Sequence, residues 1–259
     1  TIVIATTADP DALFPPLALN IEARQATELI FEYLADVGPG MNTIGDEGFV
    51  KQIASGWTWS GDSSSISFTI DPRARWHDGT RLTADDVAFT FSVYTDEKLG
   101  ASVSSSLSEI DSVSAPDSGT AVFWFGERSP RQFYHAAAMM LILPRHVYGS
   151  AARDSLRAFS SRTTPMGSGR FRLAGWTPGS HFELARVDDH YRSTAKPARV
   201  LWTITPEYQS AVARLLGGEA DVFPTIRQET IPSLAEKGDV NLVTLPGSDY
   251  VFMHLNHRD

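Results

Sequence analysis

Apolar positions along the chain change their period several times. Ile2 to Ala5 is a short β-branched run of the kind a buried strand makes. Ala26, Leu29, Ile30 and Tyr33 then recur at helical spacing and predict a helix from Glu22 to Leu34, stopped by Gly38-Pro39-Gly40. Ile66, Phe68 and Ile70 alternate with Ser65, Ser67, Thr69 and Asp71, the period of a half-buried strand. After a turn at Trp76-His77-Asp78-Gly79-Thr80, Thr83 with Asp85 and Asp86 predicts a capped helix start, and Val87, Phe91 and Tyr94 form its apolar stripe. Ala121–Phe125 reads as a strand, and Pro130 opens a helix rich in alanine and methionine. Later strands are predicted near Arg170–Ala174, Phe182–Val187, Val200–Thr205, Asp221–Phe223, Val240–Leu245 and Tyr250–Leu255. A helix from Glu207 to Leu216 sits among them, closed by Gly217-Gly218. Strands and helices interleave without a fixed repeat, which predicts an α/β fold with an open mixed sheet. The polar stretch Ser160–Ser168, with Pro165 inside it, is the place where the chain is expected to cross between domains.

Composition narrows the function. A net charge of −9 over 259 residues, without a basic cluster, argues against a nucleic-acid partner. The longest apolar stretch, Ala136 to Pro144, is too short to span a bilayer. The absence of cysteine excludes thiol catalysis, disulfides and thiolate metal sites. Because Thr1 already leads into the first strand, a leader peptide, if the chain was made with one, is expected to have been removed.

The stretch from Phe68 to Val87, FTIDPRARWHDGTRLTADDV, resembles the signature of family 5 extracellular solute-binding proteins, the peptide/nickel-binding type that serves ABC importers. Trp76 to Thr80 matches its aromatic-His-Asp-Gly turn and Thr83 to Val87 its helix start; Asp71-Pro72-Arg73 departs from its usual Leu-Arg. Further blocks follow in family order: Asp9-Pro10, Phe31-Glu32-Tyr33-Leu34, Ile53 to Trp57, Leu143-Pro144-Arg145-His146, Pro165 to Phe171, Gly218 to Val222 and Leu255-Asn256. The resemblance implies a class II periplasmic-binding-protein-like first lobe with an inserted mainly β subdomain, the second lobe missing. It implies a main lobe of residues 1–49 and 164–259 and an inserted subdomain of 50–163. By the same resemblance, ligand is held between two closing lobes, beside an opening loop that maps onto Leu19, Asn20 and Ile21, whose backbone groups would pair with a peptide main chain. Gly167, Ser168 and Gly169 are expected near the cleft, where the chain turns back from the subdomain. The implied partners are a peptide or other small-molecule ligand and the membrane permease of an ABC transporter. The implied location is the periplasm or the outer face of the cytoplasmic membrane, and no cofactor is expected.

Other chemistry is less well supported by the residues. His77-Asp78 has the composition of a base with its orienting carboxylate, but adjacent residues without a nucleophile motif are expected to bond the local backbone instead. Asp188-Asp189-His190, and His254 with His257, offer metal-ligand types without metal-site spacing, so no metal site is expected. Gly167-Ser168-Gly169 fits neither a nucleophile elbow nor a phosphate loop. No catalytic residue is therefore expected. The alternatives to solute binding are a hydrolase of peptides or glycosides and a signalling domain that kept the binding fold.

Overall fold

The computed structural model describes residues 1–236 and 240–243. In chain order the strands are β1 (Ile2–Thr6), β2 (Ala35–Asp36), β3 (Val50–Lys51), β4 (Ala54–Trp59), β5 (Ser65–Ile70), β6 (Ile110–Asp117), β7 (Thr120–Phe125), β8 (Phe171–Thr177), β9 (His181–Arg186) and β10 (Arg199–Ile204). The helices are α1 (Ile21–Ile30), α2 (Ala84–Tyr94), α3 (Gln132–Ala138), α4 (Arg145–Tyr148), α5 (Leu156–Ser160), α6 (Tyr208–Leu216) and α7 (Ile231–Ala235).

Two four-stranded sheets carry the fold. The first has the order β1-β10-β9-β8 and is mixed, because β1 runs parallel to β10 while the other pairs are antiparallel. The second has the order β4-β5-β7-β6 and is antiparallel throughout. One continuous apolar core joins them, running from Phe31 and Ile30 through Phe68, Phe123 and Phe133 to Phe182 and Trp202. In the first sheet Phe182 and Trp202 stack at 4.5 Å. A smaller cluster of Ala5, Tyr208, Ala211, Val212, Phe223 and Leu234 seats α6 on the other face.

The α2 start follows its sequence closely. The Asp86 carboxylate accepts the Thr83 N–H at 2.9 Å, which closes the capping box, and Gly79 has φ of +85° in the turn before it. The buried face of α2 is Val87, Thr90, Val93 and Tyr94, with Phe91 only half-buried; the Thr90 hydroxyl donates to the Asp86 carbonyl and accepts the Leu143 N–H.

Four expectations are corrected. Helix α1 ends at Ile30 and not at Leu34. The Ile30 carbonyl accepts the Gly169 N–H at 2.8 Å, and the Glu32, Tyr33 and Leu34 carbonyls are taken by Ile142, Ile53 and Gln52 amides. Asp221–Phe223 makes only a single parallel bridge, Ile4 to Val222, because Pro224 cannot donate to a ladder. Residues 240–243 carry no strand, and the rest of that segment together with Tyr250–Leu255 lies outside the described residues. Helix α3 starts at Gln132, after Pro130 has given its carbonyl to the Gly45 N–H.

Candidate functional site

The segment between β1 and α1 is braced by two aspartates. Asp9 accepts the Trp176 indole N–H and the Gly179 N–H, both at 2.8 Å, and so ties the opening segment to the β8–β9 hairpin. Asp11 accepts the amides of Leu19 and Asn20 at 3.1–3.2 Å. Asn20 is the N-cap of α1, its Oδ1 accepting the Ala23 N–H at 2.9 Å. The main-chain donors at Leu19 and Asn20 are thus already used within the chain. What these positions offer a ligand is apolar side-chain surface, with Leu19 57% and Ile21 45% exposed.

Ile21 begins a solvent-facing row on α1 that continues with Arg24 and Glu28, three and seven residues on. Arg24 and Glu28 line a cavity of about 260 Å³ together with Tyr33, Tyr94, Tyr134 and Met139. Tyr33 donates to Glu28 at 3.3 Å. Desolvation raises the Glu28 carboxyl above its ordinary value, against the Tyr33 hydrogen bond and the Arg24 charge, which lower it. A cation, a carboxylate and three tyrosine side chains therefore line one recess, the mixture of apolar wall and few polar groups typical of solute sites.

Behind α1 a second set of residues holds the crossing segment. His77 Nε2 lies 2.9 Å from the Gly169 carbonyl, its backbone N–H donates to Gly167, and its Nδ1 accepts the Gly167 N–H. His190 Nε2 lies 3.0 Å from the Ser168 carbonyl. Glu32, 3% exposed, accepts from Tyr191 Oη at 2.9 Å and from the Arg192 guanidinium. Burial alone would raise the Glu32 carboxyl, but the His190 hydrogen bond and the Arg192 charge outweigh it and hold it below its ordinary value.

The structure therefore separates the residues singled out from sequence. Leu19 and Ile21 are exposed and Asn20 half-buried, and none of the three lines the α1 cavity, whereas Gly167, Ser168 and Gly169 are buried and line neither that cavity nor the groove across the opening segment, to which Leu19 contributes. The glycines serve close approach and not a sharp turn, since a Cβ on Gly167 would stand 1.8 Å from the Ile30 carbonyl oxygen. Asp78 bonds the local backbone as expected, accepting the Thr80 N–H, and also pairs with His146 at 2.8 Å, whereas the His77 ring bonds not its own turn but Gly167 and Gly169, some 90 positions away. Among the described residues no three metal-ligating side chains converge; His254 and His257 lie outside them. Sequence reasoning missed Arg24 and Glu28, although their helical spacing from Ile21 was a usable signal. Tyr94 and Tyr134 come from distant segments and carried none.

Comparison with known proteins gives a consistent result. The model of the Bacterial extracellular solute-binding proteins, family 5 Middle, matches residues 48–259. The chain is 28% identical over 194 residues to the oligopeptide-binding protein AppA of Bacillus subtilis, covering 73% of this chain and 35% of that protein. It is 27% identical over 262 residues to the probable D,D-dipeptide-binding periplasmic protein DdpA of Escherichia coli, covering 99% of this chain and 49% of that protein. The solved structure of AppA in complex with a nonapeptide superposes with a TM-score of 0.80 at 21% identity, over 90% of this chain and 45% of that one. NikZ from Campylobacter jejuni in complex with Ni(L-His) gives 0.77 at 20% identity, over 92% and 45%. The chain thus spans half or less of the length of these relatives.

Proposed function

We propose a role in solute capture, starting from the family: the chain belongs to the bacterial extracellular solute-binding proteins of family 5. It binds a peptide or a similar small zwitterion outside the cytoplasmic membrane and delivers it to the membrane permease of an ABC importer, without transforming it. Family membership supports the location and the partner. No helix among the described residues is long and apolar enough to cross a membrane. The single observation that carries the solute class is the pair Arg24 and Glu28 on α1, which line the tyrosine-walled recess. Arg24 suits a carboxylate, Glu28 an ammonium group, and the tyrosines supply rigid walls with hydrogen-bonding tips. Pro15, Ala18 and Leu141 add apolar wall. The engagement of His77 with the Gly169 carbonyl and of Asp78 with the Thr80 N–H favours binding over hydrolysis. We read residues 1–49 and 164–259 as one lobe and 50–163 as its insert, a division supported by the two separate sheets.

Calorimetry with di- to nonapeptides tests the site. Arg24→Ala and Glu28→Gln each remove one charge-assisted contact, worth about 1.5–3 kcal/mol, and should weaken binding by about 10- to 150-fold. Peptide binding unchanged by both substitutions places the ligand elsewhere.

A further inference from the structure

A larger groove lies on the other flank of the opening segment. Its volume is about 590 Å³, within the range of roughly 300–1,000 Å³ common for small-molecule pockets. Leu13, Phe14, Leu17 and Leu19 form one wall, and Leu173 and Trp176 of β8 contribute to the other. The indole N–H of Trp176 is tethered to Asp9, so the ring is fixed in place beside the groove. Loss of such a surface to water is unfavourable, and Leu19 at 57% and Trp176 at 36% exposure leave it uncovered.

The polar rim has one sign. Arg157 and Arg162 both line the groove. Arg157 spends one N–H on the Leu99 carbonyl at 3.0 Å, and the Arg162 guanidinium has no acidic or hydrogen-bonding partner among the described residues. The one acid in the lining, Asp11, is already occupied by the Leu19 and Asn20 amides. In a chain of net charge −9, two arginines above an apolar floor are a local reversal of sign. The hydroxyls of Ser160, Ser161 and Thr163 donate to helix-end carbonyls, which leaves the guanidinium groups as the strong donors on that side.

We propose that this groove is a second ligand site, separate from the α1 recess, that takes an amphiphilic carboxylate: an alkyl or aryl body on the leucines and Trp176, and a carboxylate on Arg162 and Arg157. The site does not depend on the peptide reading, because it uses neither Arg24 nor Glu28.

Decanoate is a suitable probe, with 1-decanol and decylamine as uncharged and cationic controls. Calorimetry and tryptophan fluorescence on the 259-residue chain should show decanoate binding at least tenfold tighter than decanol, with decylamine weaker still. Arg162→Glu with Arg157→Glu should abolish the preference for decanoate, and Trp176→Phe should remove the fluorescence change while the heat of binding persists. Arg24→Ala should leave decanoate binding as it was. Equal affinity for decanoate and decanol overturns the proposal, as does loss of binding in Arg24→Ala in place of the rim variants. Silence of the groove accompanied by concentration-dependent dimerisation in sedimentation also overturns it, because a second copy would then be the occupant.

Discussion

Gly167 and Gly169 press against the end of α1, where a β-carbon would stand 1.8 Å from the Ile30 oxygen and 2.4 Å from the Leu29 oxygen. Backbone cannot yield as a flexible side chain does, so Gly167→Ala should destabilise by at least the 1–3 kcal/mol or so of ordinary overpacking, in urea unfolding. Gly40→Ala, with open space around it, should be near neutral. Gly79 is different again: its Cβ would meet nothing, but φ of +85° makes Gly79→Val cost about 1–3 kcal/mol through backbone strain. His77 adds a pH dependence. Burial pushes its imidazole below the ordinary value of 6.5. Between the folded and the ordinary value the unfolded chain binds more protons, so stability is full above about pH 6.5 and declines as pH falls through that window. His77→Gln should flatten the profile of unfolding midpoints between about pH 7.5 and 5, a range in which Glu32, held low, stays ionised.

Asp86 shows how one residue can serve two elements. Its Oδ2 caps α2 through the Thr83 N–H, and its Oδ1 accepts the Arg145 N–H at 2.8 Å, which fixes the start of α4. Asp86→Ala loses the capping-box acceptor and strands the part-buried Arg145 amide, a combined cost of about 1–3 kcal/mol in thermal or urea unfolding. Asp85→Ala, which breaks only an exposed pair with Arg145, should cost below about 1 kcal/mol. Elements of this kind were legible in the sequence because their signals are local: a cap three residues from its partner, alternation in β5, glycines after α6. The early end of α1 was not legible, since Ile30 gives its carbonyl to Gly169, 139 positions away in the chain. Strands β4 and β6 escaped for a related reason. Their burial patterns are irregular and each carries a register shift, so no clean alternation marks them.

At the scale of the whole molecule, the outward and return crossings between the sheets meet at one buried ionic cluster. Glu32 binds Arg192 and Tyr191; Tyr191 and Arg192 reach the carbonyls of Gln52 and Lys51; His190 holds Ser168. Glu32→Ala leaves Arg192 without its counter-charge and should destabilise by about 3–5 kcal/mol in urea unfolding. None of this was visible in the order of residues, where Glu32 and Arg192 stand 160 apart. The cavity beside α1 was half visible for the same reason: Arg24 and Glu28 share a helix, while Tyr94 and Tyr134 arrive through tertiary packing. The parallel pairing of β1 with β10 has a bearing on how the chain acquires its shape during synthesis. Ile2 pairs with Val200 and Thr6 with Ile204, so β1 has no β10 to pair with until some 198 further residues exist. At about 5–20 residues per second that is a wait of roughly 10–40 s. Throughout it the all-antiparallel sheet, complete by Phe125, is free to form from neighbouring hairpins, while Ile2 to Thr6 remains an apolar strand without its partner, so the antiparallel half of the molecule can be folded before the mixed sheet begins.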